Sequence, residues 1–218
     1  GGLMDSNDPL DDFLAAKPER TWRKPKRVVK ALREAYTYGV PVLQMKGHID
    51  QMVEHTGYSF VCGTPDETLR RVVAFLLTNC ESDTLASMLP LLWARGGRED
   101  IVTTGILLAN IDRASLDSDV WGALGGLVRA TEPVEGLLFV VEELYRGEHG
   151  SPDDDLLLDW FGGSPIHSCL ALLCLHAGWV RSGRAPLTGH LREAVDEVDV
   201  GESDGLLKRV RDQLLEAQ

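Results

Sequence analysis

The chain has 218 residues, 44% of them hydrophobic, enough for one compact domain or two small ones with a real core. Its 34 acidic residues outnumber 22 basic ones, and the formal charge of −12 excludes a generally basic nucleic-acid coat. Cys62, Cys80, Cys169 and Cys174 show no framework spacing, so a reducing cytoplasm is the expected compartment, and no apolar run reaches the length of a bilayer span. The stretch from Gly1 to Pro9 has neither a basic start nor an apolar run, so no signal peptide is expected and Met4 is read as a natural start.

Residues 1–19 carry Asp5, Asp8, Asp11 and Asp12 with two prolines, and read as a flexible acidic arm with a helical turn around Phe13. A single all-α domain is expected over residues 20–218. Pro25 opens a helix whose Val28, Val29, Leu32, Ala35 and Tyr36 recur at helical spacing, and Gly39 and Pro41 end it. A second helix is expected from about Val42 to His55, then a stretch from Tyr58 to Cys62 that pairs weakly as strand. Thr64-Pro65-Asp66-Glu67 reads as a capping box, with Thr64 as cap and Glu67 reaching back to it. The helix that follows turns Leu69, Val72, Val73, Leu76 and Leu77 inward. Asp83 caps the next one, which should kink at Pro90 and end at Gly96-Gly97. Helices are then expected at about 98–111, 117–130 and 133–146, and from Ser151-Pro152-Asp153-Asp154 through Phe161. Ser164-Pro165 starts a long helix to about Ser182, Thr188 caps one to about Val198, and Ser203 caps the last.

Strands are needed nowhere, and short connections between helices imply an all-α fold. Leu-Pro-Leu-Leu-Trp93-Ala-Arg-Gly-Gly is echoed 67 residues later by Leu-Leu-Leu-Asp-Trp160-Phe-Gly-Gly, and each is followed by a long apolar helix. That offset is close to two helix-pair repeat units. The first expectation is an α-solenoid-like array of antiparallel helix pairs; a closed irregular helical bundle is the alternative.

Leu172-Leu-Cys-Leu-His176-Ala-Gly-Trp179, then Gly183 and Leu191-Arg-Glu-Ala194-Val195, resembles the helical tail of a large actinobacterial family of unknown function. In that tail an apolar helix ends in Ala-Trp, a glycine turn follows, and the next helix carries an Ala-Leu pair. Gly205-Leu206-Leu207 to Leu214-Leu215 is similar to its last helix, so the resemblance spans residues 166–218. The turn here carries one glycine where the family has two, and the helix after it lacks the family's small residues. The same residues also resemble a degenerate tetratricopeptide unit. The resemblance implies helix-pair architecture and no activity.

Candidate chemistry is sparse, and no cofactor or metal is expected. His167, Cys169, Cys174 and His176 form a symmetrical pattern, but on a helix the two pairs point about 200° apart and do not converge on one ion. His48, His55 and Cys62 recur every seven residues until Gly57 breaks the helix. Asp50, Glu54 and His55 read as a solvated face, and Asp153-Asp154-Asp155 as charges favoured at a helix start. Gly96-Gly97, Gly125-Gly126 and Gly162-Gly163 lack the spacing of a phosphate loop; Gly122, Gly125 and Gly126 suit close helix approach. Trp93, Trp121, Trp160 and Trp179 read as core.

One segment breaks the acidic pattern. Residues 20–33 hold seven cations and no acid, leaving 34 acids against 15 bases, or −19, elsewhere. Arg20, Trp22, Arg23, Lys24, Lys26, Arg27, Lys30 and Arg33 are therefore the candidate partner-binding residues, with Trp22 expected to be exposed. The functional expectation is a non-enzymatic helical-repeat adaptor that binds a protein or peptide partner. The alternative is a nucleic-acid-associated protein of the helical-repeat DNA-repair kind using the same segment, and a third option is an enzyme with a dispersed site.

Overall fold

Pro25, Gly96, Ser164-Pro165 and Gly183 mark helix ends where the sequence places them. The computed structural model describes residues 8–38, 40, 56–183, 187, 189–201 and 205–217; among these are eleven α-helices, two 3-10 turns and no strand. The protein is all-α. None of the described helices is long and apolar enough to cross a membrane. Contacts fall into two compact units, Gly1–Ser115 and Leu116–Gln218, a division inside the stretch read from sequence as one domain.

The first unit contains α1 (Pro9–Ala16), a 3-10 turn (Glu19–Arg23), α2 (Pro25–Ala35), α3 (Asp66–Asn79), α4 (Ser82–Arg95), α5 (Arg98–Asn110) and a second 3-10 turn (Arg113–Ser115). Its hub is α5, in which every residue from Glu99 to Ala109 is buried. A helix buried on all sides has no solvent face to offer, so neighbours enclose it and its Glu99, Asp100, Thr103 and Thr104 lie in the interior with its apolar residues. α3 and α4 pack on α5, α2 packs on α4, and α1 with the first 3-10 turn packs on α2. Gly96, at φ 73°, ends α4 in the left-handed conformation that glycine reaches without steric cost.

The second unit contains α6 (Val120–Leu127), α7 (Val134–Arg146), α8 (Asp154–Phe161), α9 (Pro165–Ser182), α10 (Gly189–Glu197) and α11 (Leu206–Glu216). Here α9 is the hub, buried from Ser168 to Leu175 and packed against α7, α8 and α11; α10 packs on α8 and α11. Close approach depends on two glycines. A Cβ at Gly125 would lie 2.9 Å from the Trp160 indole, and one at Gly178 would lie 2.8 Å from the Tyr145 hydroxyl, which donates to the Cys174 carbonyl at 2.8 Å. Gly122 lies instead against Ser118, and Gly126 meets nothing within 4 Å.

Several expectations are corrected. From Asp8 onward the acidic arm is a docked helix: Asp8 caps the Leu10 N–H, Leu10 and Leu14 are buried, and Asp8 and Asp11 both pair with Arg71. Thr64 is not a cap. Its hydroxyl donates to the Tyr36 carbonyl at 2.6 Å, and the helix starts after Pro65. Likewise Glu81, not Asp83, takes the cap position of α4, which runs on through Pro90. Tyr58 to Cys62 forms no strand, although Ser59 N–H donates to the Gly96 carbonyl and Arg98 N–H to the Phe60 carbonyl. The expected helix 42–55, with His48, Asp50, Glu54 and His55, lies outside the described residues, as do the caps Thr188 and Ser203.

Candidate functional site

Residues 20–33 span the first 3-10 turn and α2. Arg20, Arg23, Lys24, Lys26, Arg27, Lys30 and Arg33 are all exposed, while Val28, Ala31 and Leu32 between them are buried. The amphipathic pattern thus puts the apolar stripe inward and leaves the cations in water. The first turn of α2 has no acid, and it carries Lys26 and Arg27 where the helix dipole favours negative charge. Arg23 pairs with Glu19 at 2.6 Å, and Arg33 lies 4.2 Å over the Phe60 ring and donates to Cys62 Sγ at 2.9 Å. Arg20, Lys24, Lys26 and Arg27 have no ion-pair partner among the described residues. Trp22 departs from expectation. It is 5% exposed, packed edge-on to Phe75 at 5.0 Å, and anchors the turn instead of meeting a partner.

Three of the predicted cations come together. Arg20, Arg27 and Lys30 line an open groove of about 430 Å³ with Lys17, Thr21 and Glu34. Lys17 pairs with Glu34 at 2.8 Å, and this hydrogen bond, aided by the charge of Lys30, holds the Glu34 carboxyl below its ordinary range. Lys17 was missed from sequence because it lies in the stretch read as a free arm. The spacing of Leu10 and Leu14, one helical turn apart, was the available signal that this stretch docks.

Behind α2 lies a buried polar cluster that sequence reading did not find. Asp100, fully buried, accepts from Arg95 at 2.7 and 2.9 Å, from the Tyr36 hydroxyl at 2.9 Å and from the Gly97 N–H at 3.2 Å. Arg95 also donates to the Val29 carbonyl at 2.7 Å, which ties α4 to α2. Burial pulls the Arg95 pKa down, but the hydrogen bond and charge of Asp100, together with Tyr36, outweigh it and hold the guanidinium above its ordinary value. Burial, then the Asp100 charge, push the Tyr36 hydroxyl well above its ordinary value. Beside it the buried Glu99 carboxylate accepts from the N–H groups of Cys62, Gly63 and Thr64 at 2.8–3.2 Å. The Cys62 thiol is pushed up to about 11 by burial and by the Glu99 charge, which favours the protonated form. These groups satisfy one another's hydrogen-bonding capacity inside the first unit.

In the second unit the histidines and cysteines of α9 serve helix ends and core. His167 Nε2 donates to the Gly125 carbonyl at 2.9 Å, which leaves Nδ1 to accept from the Ser164 hydroxyl at 2.7 Å. Ser164 in turn accepts the His167 N–H, which closes a helix cap. His176 bonds Gln213 at 2.9 Å, joining α9 to α11, and Cys169 and Cys174 are buried free thiols. No group of three or more metal-ligating side chains is found among the described residues.

Charge divides unequally between the units. Residues 1–115 hold 14 basic and 15 acidic side chains, and residues 116–218 hold 8 and 19. The cationic face therefore belongs to a nearly neutral unit. No family model matches the chain, and no curated protein or solved structure does so either.

Proposed function

We propose that the chain is a non-enzymatic helical adaptor that binds an acidic protein or peptide partner through the cationic face of residues 20–33. The observation that carries this reading is the exposure of all seven cations, six of them without an ion pair among the described residues. Of the nearby acids, Glu19 pairs with Arg23, while Asp8 and Asp11 pair with Arg71 outside the segment, so most of its charge is left for a partner. The proposal includes a solenoid-like arrangement of helix pairs, supported by the Trp93 and Trp160 echo, each copy of which leads into a hub helix. It includes a cytoplasmic location, supported by four free cysteines. The similarity of residues 166–218 to the actinobacterial tail adds helix-pair geometry and no chemistry.

The test pairs the wild-type chain with a Lys26→Glu/Lys30→Glu variant. Affinity capture from the native host should retain a protein partner on the wild type and lose it on the variant. Fluorescence anisotropy with duplex DNA provides the opposing outcome. Micromolar binding at about 150 mM salt, abolished by the same variant, transfers the face to nucleic acid and overturns the adaptor reading.

A further inference from the structure

We propose that the groove between the end of α1, the first 3-10 turn and α2 takes a phosphoryl group carried on a side chain of the partner peptide. This rests on the reading of residues 20–33 as a partner-binding face and names the group recognised there. Four cations, Lys17, Arg20, Arg27 and Lys30, line the groove with a single carboxylate, Glu34. Lys17 and Glu34 satisfy each other at 2.8 Å, so three positive charges remain around one open space. A carboxylate entering it would leave two of them uncompensated. A phosphomonoester carries about −2 at neutral pH and offers three strong acceptor oxygens.

The donors match that shape. Two guanidiniums present planar forks suited to bidentate contact, Lys30 supplies an ammonium, and the Thr21 hydroxyl lies in the same lining. A nucleic-acid backbone fits less well. It requires a continuous track of positive charge, whereas Glu34 stands inside this groove and Glu19 occupies the 3-10 turn beside it. Within the groove the uncompensated charge is confined to three cations, which suits a single dianion on a peptide.

The 218-residue chain would be titrated with two oriented libraries of short fluorescent peptides, one fixed on a central phosphoserine and one on serine. The phosphorylated library should bind about tenfold tighter or more at about 150 mM salt, and Arg27→Gln/Lys30→Gln should erase that difference without changing the circular dichroism spectrum. Glu34→Gln, which removes the one negative charge in the groove, should tighten phosphopeptide binding severalfold. Equal binding of the two libraries overturns the phosphoryl assignment and leaves the acidic-partner reading standing. A phosphoserine preference that survives Arg27→Gln/Lys30→Gln places the site elsewhere and also overturns it. Failure of both libraries to bind at low salt overturns both readings. So does duplex DNA that binds more tightly than either library and is lost in the same variant.

Discussion

At Glu99 a buried carboxylate faces three consecutive backbone N–H groups of a loop that has no regular structure of its own. Removing the acceptor leaves those donors buried and unmatched. Glu99→Ala should therefore cost about 3–5 kcal/mol in urea unfolding, and Glu99→Gln about 1–3. Hydrogen exchange of the Cys62, Gly63 and Thr64 amides should quicken in both variants. The cysteines make a second prediction at this scale. Burial pushes Cys80 up to about 12 and Cys169 to about 11, against an ordinary value of 9.0. Above pH 9 the unfolded chain releases these protons while the folded chain keeps them. Their contribution is whole below pH 9 and is lost as pH climbs through the folded values. The thermal midpoint should fall between pH 9 and 11, and Cys80→Ala should lower the midpoint at pH 8 yet flatten that slope.

The glycines of α6 make opposite predictions one residue apart. A methyl at Gly125 runs into the rigid Trp160 indole, so Gly125→Ala should destabilise by about 1–3 kcal/mol despite better helix propensity. Gly126→Ala meets nothing and should stabilise by about 0.5–1 kcal/mol in the same thermal melts. Helix ends at Pro25, Gly96, Ser164-Pro165 and Gly183 were legible in the sequence because each follows from local stereochemistry. Thr64 and Trp22 were not. The acceptor of one, the Tyr36 carbonyl, and the packing partner of the other, Phe75, come from distant parts of the chain, and long-range contact overrides a local motif. The same holds for the candidate site. Its cations were legible as a charge run, whereas its groove depends on Lys17 arriving on another helix.

For the whole molecule, the −12 of the sequence conceals two unlike units, one nearly balanced and one with 19 acids against 8 bases. Like charges crowded on the second unit repel, and exposed ion pairs on the first contribute little. Raising sodium chloride from about 20 to about 200 mM should therefore raise the thermal midpoint by a few degrees. A fall would mean that attractive pairs dominate. The hydrogen bond from Arg95 to the Val29 carbonyl has a further bearing on recognition. It clamps the middle of α2 from behind, so the cationic face keeps its shape before any encounter. Ordering on association is then required of the partner alone. The rate of capture should be governed by electrostatic steering at long range and fall steeply with ionic strength, with no slow folding step on this side.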